Sequence, residues 1–271
     1  MLIEYRKTTA SPKQIFPEYR YHFHPDYEVY YFVSGDASYL VEGREYQLTP
    51  HSMMLLAPNV LHSVRVNSDV DYVRNLLSFS LEDILPERRG ILLSAFPNSP
   101  SRSDQAVFYE NLKEYDFESL LRKIQSAENL PEELRLKMSP IFLEAFLAQA
   151  HIMFQRSHPS ATSSTAPPVI LAVIEYLNGH IAEPHTLDSL AERFLINKDY
   201  MNRGFKKATG TTIIDYLLFK RVVLAKEYIA NGEGAANAAL AVGFSNYSSF
   251  YRAYKRILKE TPSAVKPSSV P

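Results

Sequence analysis

The chain has 271 residues, 46% of them hydrophobic, a net charge of −1 and no cysteine. That length suits about two domains, each able to bury a core; the lack of cysteine excludes disulfides, zinc–cysteine sites and thiol catalysis and fits a reducing compartment. Met1-Leu2-Ile3-Glu4-Tyr5-Arg6 is too short an apolar run for a signal peptide, and no stretch of about 18 apolar residues occurs, so a cytoplasmic protein with no membrane span is expected.

Residues 1 to 80 are rich in Tyr, Phe and Val, with turn signals between short runs. Val29–Val33 ends at Ser34-Gly35-Asp36, Tyr39–Val41 at Glu42-Gly43-Arg44, and Met53–Leu56 at Ala57-Pro58-Asn59. Short strands at hairpin spacing predict a β-sandwich or barrel. Over 104–156 the period becomes helical: Leu120, Leu121 and Ile124, then Leu134, Met138, Ile141, Phe142, Ala145, Phe146 and Met153. Pro140 inside that pattern predicts a break or kink. Residues 157–168, small, polar and Pro-rich, read as a linker, and 169–271 as a second, helical domain. Residues 1–165 carry 16 basic and 21 acidic side chains, net −5; the rest carries 13 and 9, net +4. The basic half is the candidate for a polyanionic partner.

That half contains a repeat at an offset of 49. Asn197 pairs with Asn246, Met201 with Phe250, Arg203 with Arg252, Phe205 with Tyr254, and Lys206 with Lys255. Each asparagine is suited to cap a helix. Met201, Phe205 and Ala208 form one apolar stripe, and Phe250, Tyr254 and Ile257 another. The opposite faces carry Asp199, Arg203, Lys206 and Lys207, then Ser248, Arg252, Lys255 and Arg256. Thr186 caps a preceding helix, and Ala235–Val242 forms another that ends at Gly243. Each unit reads as helix, turn, helix, and two such units suit successive major grooves about 34 Å apart. A merely solvated basic face is the alternative for each helix taken alone.

The residues Thr186–Ala191, Tyr200–Gly210, Tyr216, Arg221, Gly243-Phe244, Ser249–Arg256 and Thr261-Pro262 resemble the AraC/XylS family of bacterial regulators. The resemblance implies recognition helices near 198–208 and 247–258. It implies base-edge contacts from Asp199, Asn202, Arg203, Tyr247, Ser248, Tyr251 and Arg252, and phosphate contacts from Lys206, Lys255 and Arg256. Lys198, Lys207 and Asn246 complete the expected DNA-binding set. Gly204 stands where the family has a large apolar residue, Ala235 and Ala238 where Ile or Leu is usual, Lys259 in place of a helix-ending glycine, and Val265 in place of an aromatic. An under-packed second unit that contributes less affinity is expected.

In the first half, His22-Phe23-His24-Pro25-Asp26-Tyr27-Glu28, Gly35 and the later His62 resemble the cupin pattern, with His51 in place of its second-motif glycine. Three readings stay open. His22, His24, Glu28 and His62 hold a metal; or His22, His24, Glu28, Tyr30 and His62 bind a small polar effector; or they are satisfied core polar groups. No Ser-His-Asp, phosphate-loop or dinucleotide motif is present, so no enzyme activity and no cofactor is expected.

The expected fold is α+β and multidomain: a cupin-like effector-sensing β-barrel (1–103), a helical pair (104–156) with Leu134, Met138, Ile141 and Ala145 as a dimerisation stripe, a linker (157–168), and an all-α domain with two helix-turn-helix units (169–271). The expected function is a sequence-specific transcription regulator responsive to a small polar effector; the family resemblance implies that it acts as an activator and that the effector is of carbohydrate type. Its expected partners are double-stranded DNA, RNA polymerase and a second copy of the chain. The rivals are a metal-binding cupin, enzyme or metal sensor, fused to a DNA-binding domain, and a regulator controlled by a protein partner.

Overall fold

A computed structural model describes residues 4–10, 21–97, 106–160 and 166–265. The chain forms two compact units, Met1–Thr165 and Ala166–Pro271. Residues 161–165 of the expected linker lie outside the described residues.

The first unit contains β1 (Glu4–Ala10), β2 (Tyr27–Ser34), β3 (Ala37–Val41), β4 (Arg44–Gln47), β5 (Ser52–Leu56), β6 (His62–Val66), β7 (Tyr72–Phe79) and β8 (Ala106–Tyr109). Its helices are α1 (Arg89–Leu92), α2 (Phe117–Glu128) and α3 (Glu132–Arg156). The strands form two antiparallel sheets, β1-β7-β2-β5-β8 and β4-β3-β6, rather than one closed barrel among the described residues. Alternation along β2 explains the layering. Tyr30 and Phe32 join Met54, Leu56, Tyr72 and the smaller sheet's Tyr39 and Val64 in one core. Val29 and Tyr31 face the other way and meet Ile124, Leu143, Phe146 and Leu147 of α2 and α3. Strands β2, β5, β7 and β8 of the larger sheet are thus buried on both faces.

Two local expectations need correction. Ala106–Tyr109, placed at the start of the helical segment, is strand β8 and pairs with β5. Helix α3 runs unbroken through Pro140; the buried ridge Leu143, Phe146, Leu147, Ala150 and Met153 outweighs the lost amide donor. The turn before β5 forms although it lacks glycine. His51 takes φ 58, and its ring sits 3.2 Å from Glu118 Oε1 and 3.3 Å from the Tyr31 hydroxyl.

The second unit is helical: α4 (Pro168–Gly179), α5 (Leu187–Arg193), α6 (Lys198–Thr209), α7 (Ile213–Ala230), α8 (Ala235–Ala241) and α9 (Tyr247–Leu258). α5–α6 and α8–α9 are two helix pairs joined by short turns, and α7 lies between them in sequence. No helix among the described residues is long and apolar enough to cross a membrane.

Candidate functional site

Two sites emerge, one in each unit. In the second, the caps behave as their chemistry dictates. Asn197 Oδ1 accepts from the amides of Asp199 (2.9 Å) and Tyr200 (3.1 Å), and Asn246 Oδ1 from Ser249 (2.8 Å). Thr186 and Ser189 form a reciprocal capping box at α5. The turns close alike: the Ile196 amide donates to Ala191 O at 3.0 Å, and the Phe244 amide to Ala239 O at 3.0 Å. The residue before each donor has positive φ, 53° at Leu195 and 89° at Gly243. These turn positions are offset by 48 rather than 49, because the second turn holds one residue more before its cap. Met201, Phe205, Phe250 and Tyr254 are buried, and Ala208 and Ile257 half-buried.

Lys198, Asp199, Arg203, Lys206 and Lys207 are exposed on α6; Asn246 just before α9, and Tyr247, Ser248, Tyr251, Arg252, Lys255 and Arg256 along it, are exposed too. Two of the expected contacts are committed within the protein. Lys198 Nζ pairs with Asp188 Oδ1 at 2.7 Å, which raises its pKa, and Asn246 is engaged as a cap. Asn202 is half-buried, and its Oδ1 is buried with no hydrogen-bond partner. Gly204, which departs from the family pattern, has a packing reason: a Cβ there would lie 2.9 Å from Ile170 Cδ1, so Ile170 of α4 occupies that volume.

In the first unit, the chain before β2 meets the start of β6. The His22 amide donates to His62 O at 2.9 Å, the His62 amide to His22 O at 3.0 Å, and the Asn59 amide to His24 O at 2.8 Å. The rings gather: His22 and His62 centroids are 4.2 Å apart, His24 and His62 5.2 Å. Glu28, the second residue of β2, is buried between them. Its Oε2 lies 2.7 Å from His24 Nε2, and its Oε1 accepts from the Tyr39 hydroxyl at 2.6 Å. Tyr30 packs edge-on against Tyr39 at 4.7 Å and hydrogen-bonds Tyr72. The five expected residues therefore share one neighbourhood. Tyr39, which stacks on His62 at 5.8 Å, was not expected. Nothing in its Tyr-Leu-Val strand signal marks it, since its partners lie 11 and 23 positions away.

The protonation pattern follows from these bonds. Burial alone would raise the Glu28 pKa, but the imidazoles of His62 and His24 and the Tyr39 hydroxyl outweigh it, holding the carboxyl at about 2. Burial opposes charge on His24 as well, but its hydrogen bond to Glu28 raises its pKa overall. His24 Nδ1 faces Asp26 O at 3.1 Å and its Nε2 faces Glu28, so both nitrogens meet acceptors and the imidazolium satisfies both. His62 is different. Burial pushes its pKa down to about 4, and its Nδ1–H donates to Val60 O at 2.9 Å. Its Nε2 is therefore an unprotonated acceptor, buried, without a hydrogen-bond partner and 3.7 Å from Glu28 Oε2.

A buried polar cluster in the sheet unit and two capped, cationic helices in the helical unit are the features of a transcription regulator with a ligand-binding domain and a helix-turn-helix DNA-binding domain. The AraC-like ligand binding domain family matches residues 13–151, just over half the chain, and the helix-turn-helix domain family matches 190–267. The chain belongs to the AraC family of regulators. It is 25% identical over 242 residues to the HTH-type transcriptional regulator YbfI of Bacillus subtilis, covering 87% of this chain and 82% of YbfI. The regulatory protein SoxS of Salmonella typhimurium is 28% identical over 96 residues, 35% of this chain and 90% of SoxS. The bifunctional transcriptional activator/DNA repair enzyme AdaA of B. subtilis is 32% identical over 98 residues, and the match covers only 46% of AdaA and 36% of this chain. Among solved structures, ToxT of Vibrio cholerae aligns over 97% of both chains at 14% identity and a TM-score of 0.38.

Proposed function

We propose that α5–α6 and α8–α9 are two helix-turn-helix units reading one DNA site, and that the His22, His24, Glu28, Tyr30 and His62 cluster receives a small polar effector that controls binding. The observation that carries this reading is the matched pair of 12-residue helices, each seated by an asparagine cap and a buried aromatic, each with an exposed cationic outer face. Arg203 and Arg252 occupy equivalent exposed positions suited to guanine, and Lys206, Lys255 and Arg256 suit phosphates. A duplex enriched from a random library by the full chain tests this. Arg203→Ala and Arg252→Ala should each cost about 1–3 kcal/mol at one half of that duplex. A loss spread evenly over unrelated sequences refutes base reading.

The effector is proposed to be a carbohydrate, hydrogen-bonded by the imidazoles. A thermal-shift screen tests it, because a ligand that binds only the folded chain raises its melting temperature with concentration. The active form is proposed to be a homodimer joined through the outer face of α3. Leu134, Met138, Ile141, Ala145, Ala148 and Ile152 recur there at alternating steps of four and three, opposite the buried ridge. Leu134 and Ile141 are 49% and 57% exposed. Recruitment of RNA polymerase and activation complete the reading; a promoter-reporter assay with and without the chain checks the sign.

One observation favours a second reading of the cluster, a divalent transition metal in place of the effector. Single ligand atoms of His24, Glu28 and His62 lie within 4.8 Å of one another, and the His62 Nε2 lone pair lacks a partner. Carbonyl bonds to both Nδ1 atoms orient the rings as in metal sites. Stoichiometric metal in the purified chain, lost in His62→Ala, would establish that reading over the first.

A further inference from the structure

Arg221 lies midway along α7 and forms no part of either DNA-facing surface. Its three kinds of nitrogen donate to three backbone carbonyls: Nε to Ile181 O at 2.9 Å, Nη2 to Glu183 O at 2.6 Å and Nη1 to Gly243 O at 3.1 Å. The first two belong to the loop that leads into α5, and the third to the turn between α8 and α9. The two pieces of backbone also touch directly. A Cβ on Gly243 would lie 2.3 Å from Ala182 O and 3.2 Å from Arg221 Cζ, and Gly243 has φ 89°. No side chain fits that contact, and only glycine holds that φ without strain.

The geometry has a mechanical consequence. Phe205 of α6 packs on Tyr216 near the start of α7, and α8 and α9 pack on Val222, Ala225 and Ile229 further along it. The two pairs thus pack on different stretches of one shared helix. The Arg221 bonds tie the first pair's entry loop to the second pair's turn and close a ring: loop, α7, turn. The loop is itself held at its other end, where His180 stacks on Tyr176 at 4.2 Å and His185 Nε2 lies 2.7 Å from His180 O.

We infer that Arg221 and Gly243 form a clasp that fixes the separation and angle of the two DNA-reading helices, so that Arg221 sets the permitted spacing between half-sites without touching DNA. Arg221 is a positioning residue. Lysine cannot replace it, because one ammonium lacks the planar fork that reaches three carbonyls. This inference rests on both helix pairs reading DNA.

The test uses the full chain and the duplex it enriches from a random library. Three duplexes are compared by titration: the enriched one, the same with two base pairs inserted between its halves, and versions with one half scrambled. Coupled binding of rigidly joined units predicts an insertion penalty of about 100-fold for the unaltered chain. For Arg221→Gln and Arg221→Lys we expect a loss of about 10-fold on the enriched duplex, unchanged affinity for the half-scrambled ones, and an insertion penalty reduced to about threefold. Thermal unfolding of each variant is measured alongside. An undiminished insertion penalty with lowered melting temperature and uniformly weakened binding overturns the clasp and leaves Arg221 a stability residue. If scrambling one half has no effect, the two-unit reading itself falls and the clasp with it.

Discussion

Gly204 sits inside α6 with its Cα facing Ile170, and the pair makes a sharp stability test. Alanine is favoured over glycine in a helix interior by about 1 kcal/mol. Against that, a Cβ would stand 2.9 Å from Ile170 Cδ1 and 3.0 Å from Cγ1. Ile170 is fully buried, so its displacement disturbs its neighbours, and overpacking of this kind costs about 1–3 kcal/mol. Gly204→Ala is therefore expected to destabilise the second unit by about 1 kcal/mol net. Ile170→Val removes the nearer of the two obstructing carbons and alone costs about 0.5–1.5 kcal/mol. In that background Gly204→Ala becomes neutral or stabilising, so the double-mutant cycle yields a favourable coupling of about 1 kcal/mol. Urea unfolding of the full chain, followed by far-ultraviolet circular dichroism, reads each corner of the cycle. Stabilisation by Gly204→Ala in the unaltered background would refute the argument that Ile170 holds the glycine in place.

Leu195 and Lys259 both hold positive φ, 53° and 60°, where L side chains are strained, and Leu195 is 91% exposed. Leu195→Gly and Lys259→Gly should each raise the stability of the second unit by about 0.5–1 kcal/mol, strain relief less the added backbone entropy of glycine; a loss in either would show an unseen packing role. Acid should destabilise the first unit. The Glu28 pKa falls from 4.5 to about 2 on folding, so its stabilisation is full above pH 4.5 and fades toward pH 2. His62 falls from 6.5 to about 4, so the unfolded chain binds its proton first and stability drops between those values. Glu28→Gln should flatten the lower part of the melting-temperature profile against pH, and a profile unchanged by it would overturn the assignment. Ile141→Asp, at the centre of the exposed α3 seam, should leave the fold intact and shift sedimentation to the monomer. The second helix pair is expected to contribute less affinity than the first, so Arg203→Ala should weaken binding to the enriched duplex more than Arg252→Ala. The reverse order would end that asymmetry.

What the sequence showed in advance divides along a physical line. Helix ends in the second unit were readable because their determinants are local: Asn197 and Asn246 bond amides two or three residues on, and stripes such as Met201 and Phe205 need only the helical period. The histidine cluster was readable as a set, because His22 and His24 share a short segment and Glu28 follows four residues on, at the start of the next strand. Its wiring was not. The Tyr39 bond to Glu28 and the His22–His62 backbone bridge join segments whose proximity depends on which strands pair. The same holds for β8, whose Ala106–Tyr109 run follows a break in the strand pattern and finds its place only beside β5. The break expected at Pro140 does not occur for a related reason, because a local rule about the missing amide met a buried ridge on α3 that the rule does not weigh.

Arg221 marks the limit of motif reading most clearly. It stands out in the sequence as part of a family pattern, yet its charge suggests a surface or phosphate role. Its bonds run to carbonyls 38, 40 and 22 positions away in the chain. A guanidinium directed at backbone carries no sequence signature, because its acceptors belong to every residue type. Gly243 has the complementary property: its identity is dictated by Ala182 O at 2.3 Å from an absent Cβ. Both residues are specified by where two distant stretches of main chain meet. A change at either is therefore expected to alter how the two helix pairs act together before it alters either pair alone.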